Sequence, residues 1–498
     1  MDSKLCVALA AVIASLCLSG NVQAQSSGTL SGSFVHFGYG VNDEVVTAAQ
    51  LPLLLDELKD LGNDTIIISQ TRVTSPNQGC GYYASQREWI AGFPGKLQSV
   101  LDAAQARGIK VYVGTTLSTG CPQFYEPWNT HGVIDDIQQN LSFLASSYGG
   151  HPAFAGWYIS DEPGMLSSGV CEYYRQVTSA LKALTPGKPV MVAPHFSGAS
   201  LPSPASLAST AASFRAQTGV DIQAWQDGIG SFATTKLYPW VRAGSTVDQY
   251  FGALATTLGS GLWADVEVFN YGAPFAVGGG YRAASAIRIN QQLWETRHAA
   301  KRVSWLHQWH MSEVIGPQYG HWEAARLQAT YRALYGIGGA QWIPASGYSA
   351  YTWVSPLSTQ YPDTAGKEMF DRFTADPQNP QDPGWVGTQG VNGVATFRVD
   401  FNASRRLDWV GVHTLTNPAW SIRTPTSGEI YCGETVASMT KVGDMAAPFT
   451  QADLSSVTTQ EYVLGNRQPL GASCRFVELR MPTGGYWTFV SEIEMTAE

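Results

Sequence analysis

The pattern that most narrows the fold is a repeated alternation. Strand-like runs are expected at Phe34–Gly40, Thr65–Gln70, Ile109–Thr116, Phe154–Ser160, Pro189–Pro194, Val220–Gln226, Leu262–Phe269 and Val303–Trp309. Helical stretches separate them at Ala48–Leu61, Leu97–Arg107, His131–Tyr148, Val170–Leu184, Pro204–Gln217, Val247–Leu258, Ala283–Lys301 and Trp322–Tyr335. In the first helix Leu51, Leu54, Leu55 and Leu58 recur at helical spacing, and Gly62 ends it. Alternation with short connections implies parallel strands joined by crossover helices. Eight such units imply an α/β fold, a closed (β/α)8 TIM barrel over residues 30–374. An open doubly wound sheet is the alternative, but no Gly-x-Gly-x-x-Gly follows a strand, so nucleotide binding has no support.

The pattern then changes. Residues 375–385 (ADPQNPQDPGW) carry three prolines and no periodicity, and read as a linker. Residues 386–498 alternate without helices, as in VATFRVDF (394–401), WVGVH (409–413) and FVELRM (476–481), which implies a smaller all-β sandwich.

At the N-terminus Lys4 precedes an apolar run, Leu5–Leu18, that is short for a bilayer span, and Val22-Gln23-Ala24 fits a small-x-small cleavage site. Residues 1–24 are therefore expected to be a signal peptide, cleaved near Ala24, with export to the periplasm or the outside. No later run is apolar for the ~18 residues a membrane helix needs, so no membrane insertion is expected. Export permits disulfides. Cys432 and Cys474 stand alone in the C-terminal region and should pair. Cys80 and Cys121 follow successive strands and should be close, which leaves Cys171 odd, although it could compete for Cys121. No C-x-x-C or H-x-x-x-H spacing points to a metal, and no cofactor is expected.

The net charge is −9 with no basic run, which argues against nucleic acid or an anionic membrane as partner. The chain has 16 Trp and 22 Tyr, more than cores normally need. Platforms that stack on sugar rings are one use for them; barrel packing is the other. The chain is expected to be a monomer.

In such a barrel, chemistry sits at the C-terminal ends of the strands. The fourth strand ends on Asp161-Glu162-Pro163, where two carboxylates have no structural use in a buried strand, although acids also cap the first turns of helices. Alternation along 263–269 (WADVEVF) puts Asp265 and Glu267 on one inward face, with Glu267 nearer the rim. Glu162 and Glu267, on strands four and seven, are the catalytic candidates. Glycosidases place two carboxyls about 5–5.5 Å apart when retaining and about 6.5–9.5 Å apart when inverting. The structural alternative for Glu267 is an ion pair with Arg72 or a place in a barrel layer. Substrate-contact candidates at the other strand ends are His36, Tyr39, Gln70, Arg72, Asp161, His195, Trp225, Gln226, Asp227, Asp265, Asn270, Tyr271, His307, Trp309 and His310. His307 and His310 read equally well as satisfied rim histidines, and Asp227 as a loop cap.

These residues also carry a resemblance. Gly32-Ser33-Phe34, LLDELKDLGNDT (54–65), Leu101–Ala104 with Gly108–Val111, and His151-Pro152 leading into GWYISDEP (156–163) resemble a bacterial family long described as a domain of unknown function. Gln226-Asp227-Gly228 and DVEVF (265–269) are similar to it as well, so the resemblance spans residues 30–345. It implies a secreted TIM-barrel glycoside hydrolase related to the large retaining clan with a strand-four acid/base and a strand-seven nucleophile. Asp161 departs from that clan, where Asn often precedes the acid/base and binds a sugar hydroxyl. CRFVEL (474–479) and GYWTFVSEIE (485–494) resemble discoidin-type, galactose-binding-like sandwiches, which often bind carbohydrate.

The sequence thus leads to an exported glycoside hydrolase acting on a polysaccharide, an exopolysaccharide or cell-wall glycan, with Glu162 as acid/base and Glu267 as nucleophile. Two alternatives stay open: a non-catalytic carbohydrate-binding barrel, and an inverting enzyme using Asp227 or Asp265 as base.

Overall fold

The computed structural model describes residues 28–37, 46–74, 96–118, 141–162, 168–195, 202–231, 241–242, 245–271, 281–319, 321–343, 350–364, 366, 368–449 and 459–498. The leader, Tyr39, Cys80 and Cys121 lie outside these residues, while Arg72 and Tyr271 are described by their backbone alone.

Eight parallel strands close on themselves: β1 (Gly32–Val35), β2 (Thr65–Ile68), β3 (Lys110–Gly114), β4 (Phe154–Tyr158), β5 (Val190–Val192), β6 (Ile222–Gln226), β7 (Leu262–Val266) and β8 (Lys301–Ser304). Closure is direct, because Gly32 of β1 pairs with Thr65 on one side and Val303 on the other. The helices are α1 (Gln50–Asp60), α2 (Lys96–Ala106), α3 (Ser142–Tyr148), α4 (Ser168–Leu184), α5 (Pro204–Thr218), α6 (Val247–Leu258), α7 (Ala286–Glu295) and α8 (Ala324–Tyr335). Their ends follow local chemistry. Ser203 accepts from the Ser206 N–H with Pro204 in the first turn of α5, and the left-handed Gly219 closes it.

The two faces of each strand serve different cores. Phe34, Ile67, Tyr112, Tyr158, Met191, Ala224, Trp263 and Val303 fill the barrel interior. The alternate residues, among them Val35, Ile66, Val111, Trp157 and Trp225, pack outward against the helices.

The all-β region is one ten-stranded, almost wholly antiparallel sheet around its own core. Its main strands are β9 (Val394–Leu407), β10 (Trp409–Thr416), β11 (Ser427–Gly433), β12 (Thr440–Ala446), β13 (Gln460–Gly465), β14 (Ala472–Pro482) and β15 (Thr488–Ala497). Cys432 and Cys474 form the expected disulfide between β11 and β14, and Cys171 on α4 is a buried free thiol.

The sheet reaches back past the segment expected to be a linker. Gln341–Trp342 pairs with β15, and Ala350–Trp353 pairs with β9. Residues 375–385 are packed turns rather than a free tether. Asp376, Asn379 and Asp382 each precede a proline, and each side chain accepts from the N–H two residues on, at 2.8, 3.1 and 2.9 Å. Ala375 and Trp385 are buried with Leu415, Ile422 and Phe489, and the Trp385 indole donates to the Asp376 carbonyl at 2.9 Å.

A buried ionic cluster joins the two regions. Arg326 of α8 meets Glu494 of β15 at 2.7 Å, and His413 of β10 bridges Glu494, at 2.9 Å, and Glu461. Burial opposes the charge on His413, yet the two carboxylates push its pKa up to about 9. Burial likewise opposes ionisation of Glu494, but Arg326, His413 and Thr330 hold it below its ordinary value.

Candidate active site

After β4 the chain is pinned on both sides before it reaches the acid pair. The Ile159 N–H donates to the Met191 carbonyl at 2.9 Å, and Ser160 donates its N–H to the Thr115 hydroxyl and its hydroxyl to the Thr115 carbonyl. Asp161 is buried: the Tyr173 hydroxyl donates to its carboxylate and the Tyr174 hydroxyl to its carbonyl. Both tyrosines belong to α4, so Asp161 is an anchor that fixes the direction of its neighbour. Glu162 remains half-buried at the mouth. Desolvation, with Asp161 adding to it, pushes the Glu162 carboxyl up to about 7 against a hydrogen bond from Gln226.

Glu267 stands just past β7 and is 4% exposed. Ser231 supplies two donors, its N–H at 2.7 Å and its hydroxyl at 3.2 Å. That contact needs Gly230, since a Cβ there would lie 2.4 Å from the Phe269 carbonyl oxygen and 2.9 Å from the Glu267 Cβ. From behind, Arg288 and Gln292 of α7 donate to the Glu267 carbonyl, each at 3.0 Å. Burial and the nearby Asp227 raise the Glu267 carboxyl, opposed by Ser231 and Arg288.

Adjacent residues of one strand end tie the two glutamates together. Gln226 binds Glu162, while Asp227 accepts from the Ile229 N–H at 3.1 Å, from Gln292 at 2.8 Å and from the Glu267 N–H at 3.4 Å. Burial raises Asp227 as well, against those donors. Asp265 lies opposite Gln226 in the β6–β7 register. It is 0% exposed, and neither carboxyl oxygen has a hydrogen-bond partner among the described residues. Burial drives its pKa well up, and Glu162, Glu267 and Asp227 add to the shift. The Tyr158 hydroxyl is likewise buried without a hydrogen-bond partner, and Glu162 and Asp265 add to the burial that raises it.

Other candidates fall into separate places. His36 and Gln70 knit the ends of β1 and β2, with His36 Nδ1 2.7 Å from Gln70 Nε2 and 3.0 Å from Ser69 Oγ. Half-buried Trp309 packs beside them, its ring 5.2 Å from that of His36. His195 follows β5, and Asn270 lies in the short strand Phe269–Tyr271; both are half-buried. Trp225 points away from the mouth, buried among α5 and α6 side chains, with its indole donating to Gln223 Oε1 at 3.1 Å.

The eighth strand stops at Ser304 instead of running to Trp309. Leu306 takes a left-handed conformation (φ 54°) and starts a helical turn, His307–His310, so inward–outward alternation no longer applies. His307, expected at the rim, is committed instead to a buried pair with Glu57 of α1. His310 is buried between Phe269 and His321, and burial, with His321 next, drives its pKa well below the ordinary range.

Sequence reasoning missed Ser231, Arg288, Gln292 and Tyr173. Arg288 and Gln292 were visible in principle as polar residues, four apart, inside the apolar face made by Ile289 and Leu293. Among the described residues no group of His, Cys, Asp and Glu side chains is arranged to hold a metal ion, and no helix is long and apolar enough to cross a membrane.

The model of a family described as a domain of unknown function, DUF4434, matches residues 30–314. None of the curated proteins matches the chain. Among solved structures, a candidate α-L-fucosidase from Bacteroides thetaiotaomicron aligns over 63% of this chain and 97% of its own, at 18% identity and TM-score 0.50. A β-mannanase from the blue mussel Mytilus edulis covers 55% of this chain and 91% of its own, at 17% identity and TM-score 0.32. At 18% identity the likeness to the first is one of fold alone.

Proposed function

The chain belongs to the DUF4434 family, and from its site we propose that it is an exported glycoside hydrolase that cleaves a polysaccharide with retention of configuration. One observation carries the reading: two carboxyls at the ends of β4 and β7 are joined through Gln226-Asp227 and held by different donors, Gln226 on Glu162 and Ser231 on Glu267. Glu162, kept protonated to about 7, delivers its proton to the glycosidic oxygen as the C–O bond breaks. Glu267, held by two Ser231 donors that favour its ionised form, attacks the anomeric carbon as the carboxylate and forms an ester. Glu162 then takes a proton from water, whose oxygen displaces Glu267 and releases the sugar. Asp161, held by Tyr173, positions Glu162. His36, Gln70, Trp309, His195 and Asn270 are proposed as sugar contacts; Trp225 and His307, placed elsewhere, are not.

The inverting alternative has less support. Asp227 is engaged by three donors, and Asp265 is enclosed. The test is turnover of a glycan panel by the wild type and by Glu162→Gln and Glu267→Gln, with the product anomer read by NMR. Undiminished turnover in either variant sinks the assignment; an inverted first product sinks the retaining step.

A further inference from the structure

A cavity of about 40 Å3 opens at the seam between the barrel and the sheet. Its barrel wall begins at the short strand Tyr281–Ala283, which follows β7, pairs with Phe269–Tyr271 and leads into α7. Consecutive small residues, Ala283, Ala284, Ser285 and Ala286, leave the space. Trp322 and Glu323, just before α8, and Glu461 and Tyr462 of β13 supply facing walls. The cavity lies at the same barrel end as Glu267, since the Ala284 N–H donates to the Val268 carbonyl at 3.0 Å. It is nonetheless separate from the mouth. Val268 packs outward with α7 side chains, and His310 and His321 stand in series between Phe269 and Glu323.

The charged groups of the lining are already paired. Arg282 meets Glu323 at 2.6 Å, Arg326 meets Glu494 at 2.7 Å, and Glu461 pairs with His413. A charged ligand would have to break into one of these pairs, which leaves another buried charge alone. A neutral ligand need not. Arg282 spends Nη2 on Glu323 and Nη1 on the Pro448 carbonyl at 3.3 Å, which leaves further N–H groups of its fork to give. Glu323 Oε2 is buried with no hydrogen-bond partner among the described residues. A hydroxyl can accept from the first group or donate to the second, and hydroxyls on neighbouring ring carbons can do both at once. Trp322 and Tyr462 add aromatic surface for the carbon-bound face of a ring. At roughly 10–15 Å3 for each water-sized group, the space takes about three of them, the edge of one sugar ring rather than a whole one.

We propose that this seam is a second carbohydrate site, built jointly by the barrel and the sheet, which grips the edge of one uncharged sugar ring in a polysaccharide; that the same polysaccharide is also cleaved rests on the hydrolase reading. Two sites on one long chain multiply its retention, by as much as about 10²–10⁴-fold when the chain reaches both.

The experiment is affinity electrophoresis of the full chain through native gels holding soluble neutral polysaccharides: β-glucan, xyloglucan, galactomannan, arabinoxylan and dextran. Alginate and chitosan serve as charged comparisons. Wild type and Glu162→Gln, which keeps the gel uncleaved, should both be retarded by at least one neutral polysaccharide. Ala283→Leu fills the cavity without touching an ion pair, and Trp322→Ala removes its aromatic wall. Each should weaken that retardation at least about tenfold in Kd, with melting curves confirming the fold; Ala283→Val replaces the leucine variant should that one unfold. Retardation by alginate or chitosan alone overturns the inference, as does none by any neutral polysaccharide. Retardation unchanged in both folded variants overturns it too, and with a raised melting temperature in Ala283→Leu it shows a cavity that holds only water. Weakening by Trp322→Ala alone places the glycan outside the cavity and overturns it as well. Seam-dependent retardation without turnover of any of these glycans supports the inference and removes the hydrolase reading. Glu162-dependent turnover without seam-dependent retardation does the reverse.

Discussion

Buried carboxylates meet opposite fates in two regions of this molecule. At the junction with the sheet, and beneath the eighth strand, three have a cation: Glu494 has Arg326 and His413, Glu57 has His307, and Glu323 has Arg282 at 2.6 Å. All three are held below their ordinary values in spite of burial, Glu323 at about 2. At the barrel mouth Asp227, Asp265 and Glu267 are buried with half-buried Glu162 beside them, and all four are raised. Burial is common to both sets, so burial alone does not mark a functional acid. What separates the two sets among the described residues is a direct ion pair.

That contrast can be broken most sharply by catalysis. Glu162→Gln should lower kcat/KM on a cleaved glycan by about 10²–10⁴-fold while leaving the fold intact, because it removes a proton donor and no ion pair. Glu494→Gln should do the reverse. Stripping the charge from a buried ionic cluster costs about 3–5 kcal/mol in urea unfolding, with turnover per folded molecule unchanged. Trp225→Phe tests the boundary between the regions. It should cost about 1–2 kcal/mol through the lost indole bond to Gln223, without altering glycan affinity.

The remaining effect is in pH. Glu162 is raised from 4.5 to about 7, so the stability tied to its protonated form is complete below 4.5 and is lost as pH rises through about 7. His413 is raised from 6.5 to about 9, so the charged cluster keeps its contribution below 6.5 and loses it as pH rises through about 9. Melting curves of wild type and Glu162→Gln should therefore diverge, in favour of the variant, across the first window and stay parallel across the second. Parallel curves throughout would mean that Glu162 is not desolvated.

The barrel was legible because two periods, two for strands and 3.6 for helices, rarely coincide over ten residues. Regular strands also carried the side-chain directions, as along β7, where Trp263 fills the interior and Ala264 packs outward. Along β6 the same alternation turns Trp225 outward: if Gln226 faces the mouth, its neighbour cannot. The strand-eight histidines follow no such alternation. A left-handed Leu306 is a tertiary decision, made where its side chain joins the barrel core, and no local pattern announces it. In residues 375–385 the prolines break regular structure, while the Asp and Asn before them supply the bonds that make the turns rigid. Ser231 depends on a close approach at Gly230, a contact between distant segments that spacing does not encode.

The backward reach of the sheet has a consequence for how such a chain could be shortened or recombined. A cut at the proline segment removes Ala350–Trp353 from beside β9 and Gln341–Trp342 from beside β15, so both flanks of the severed sheet become unsatisfied edges inviting strands from other molecules. The barrel and its appendage behave as a woven pair: exchange between proteins would have to break the chain before residue 341, upstream of the first borrowed strand, for either part to travel whole.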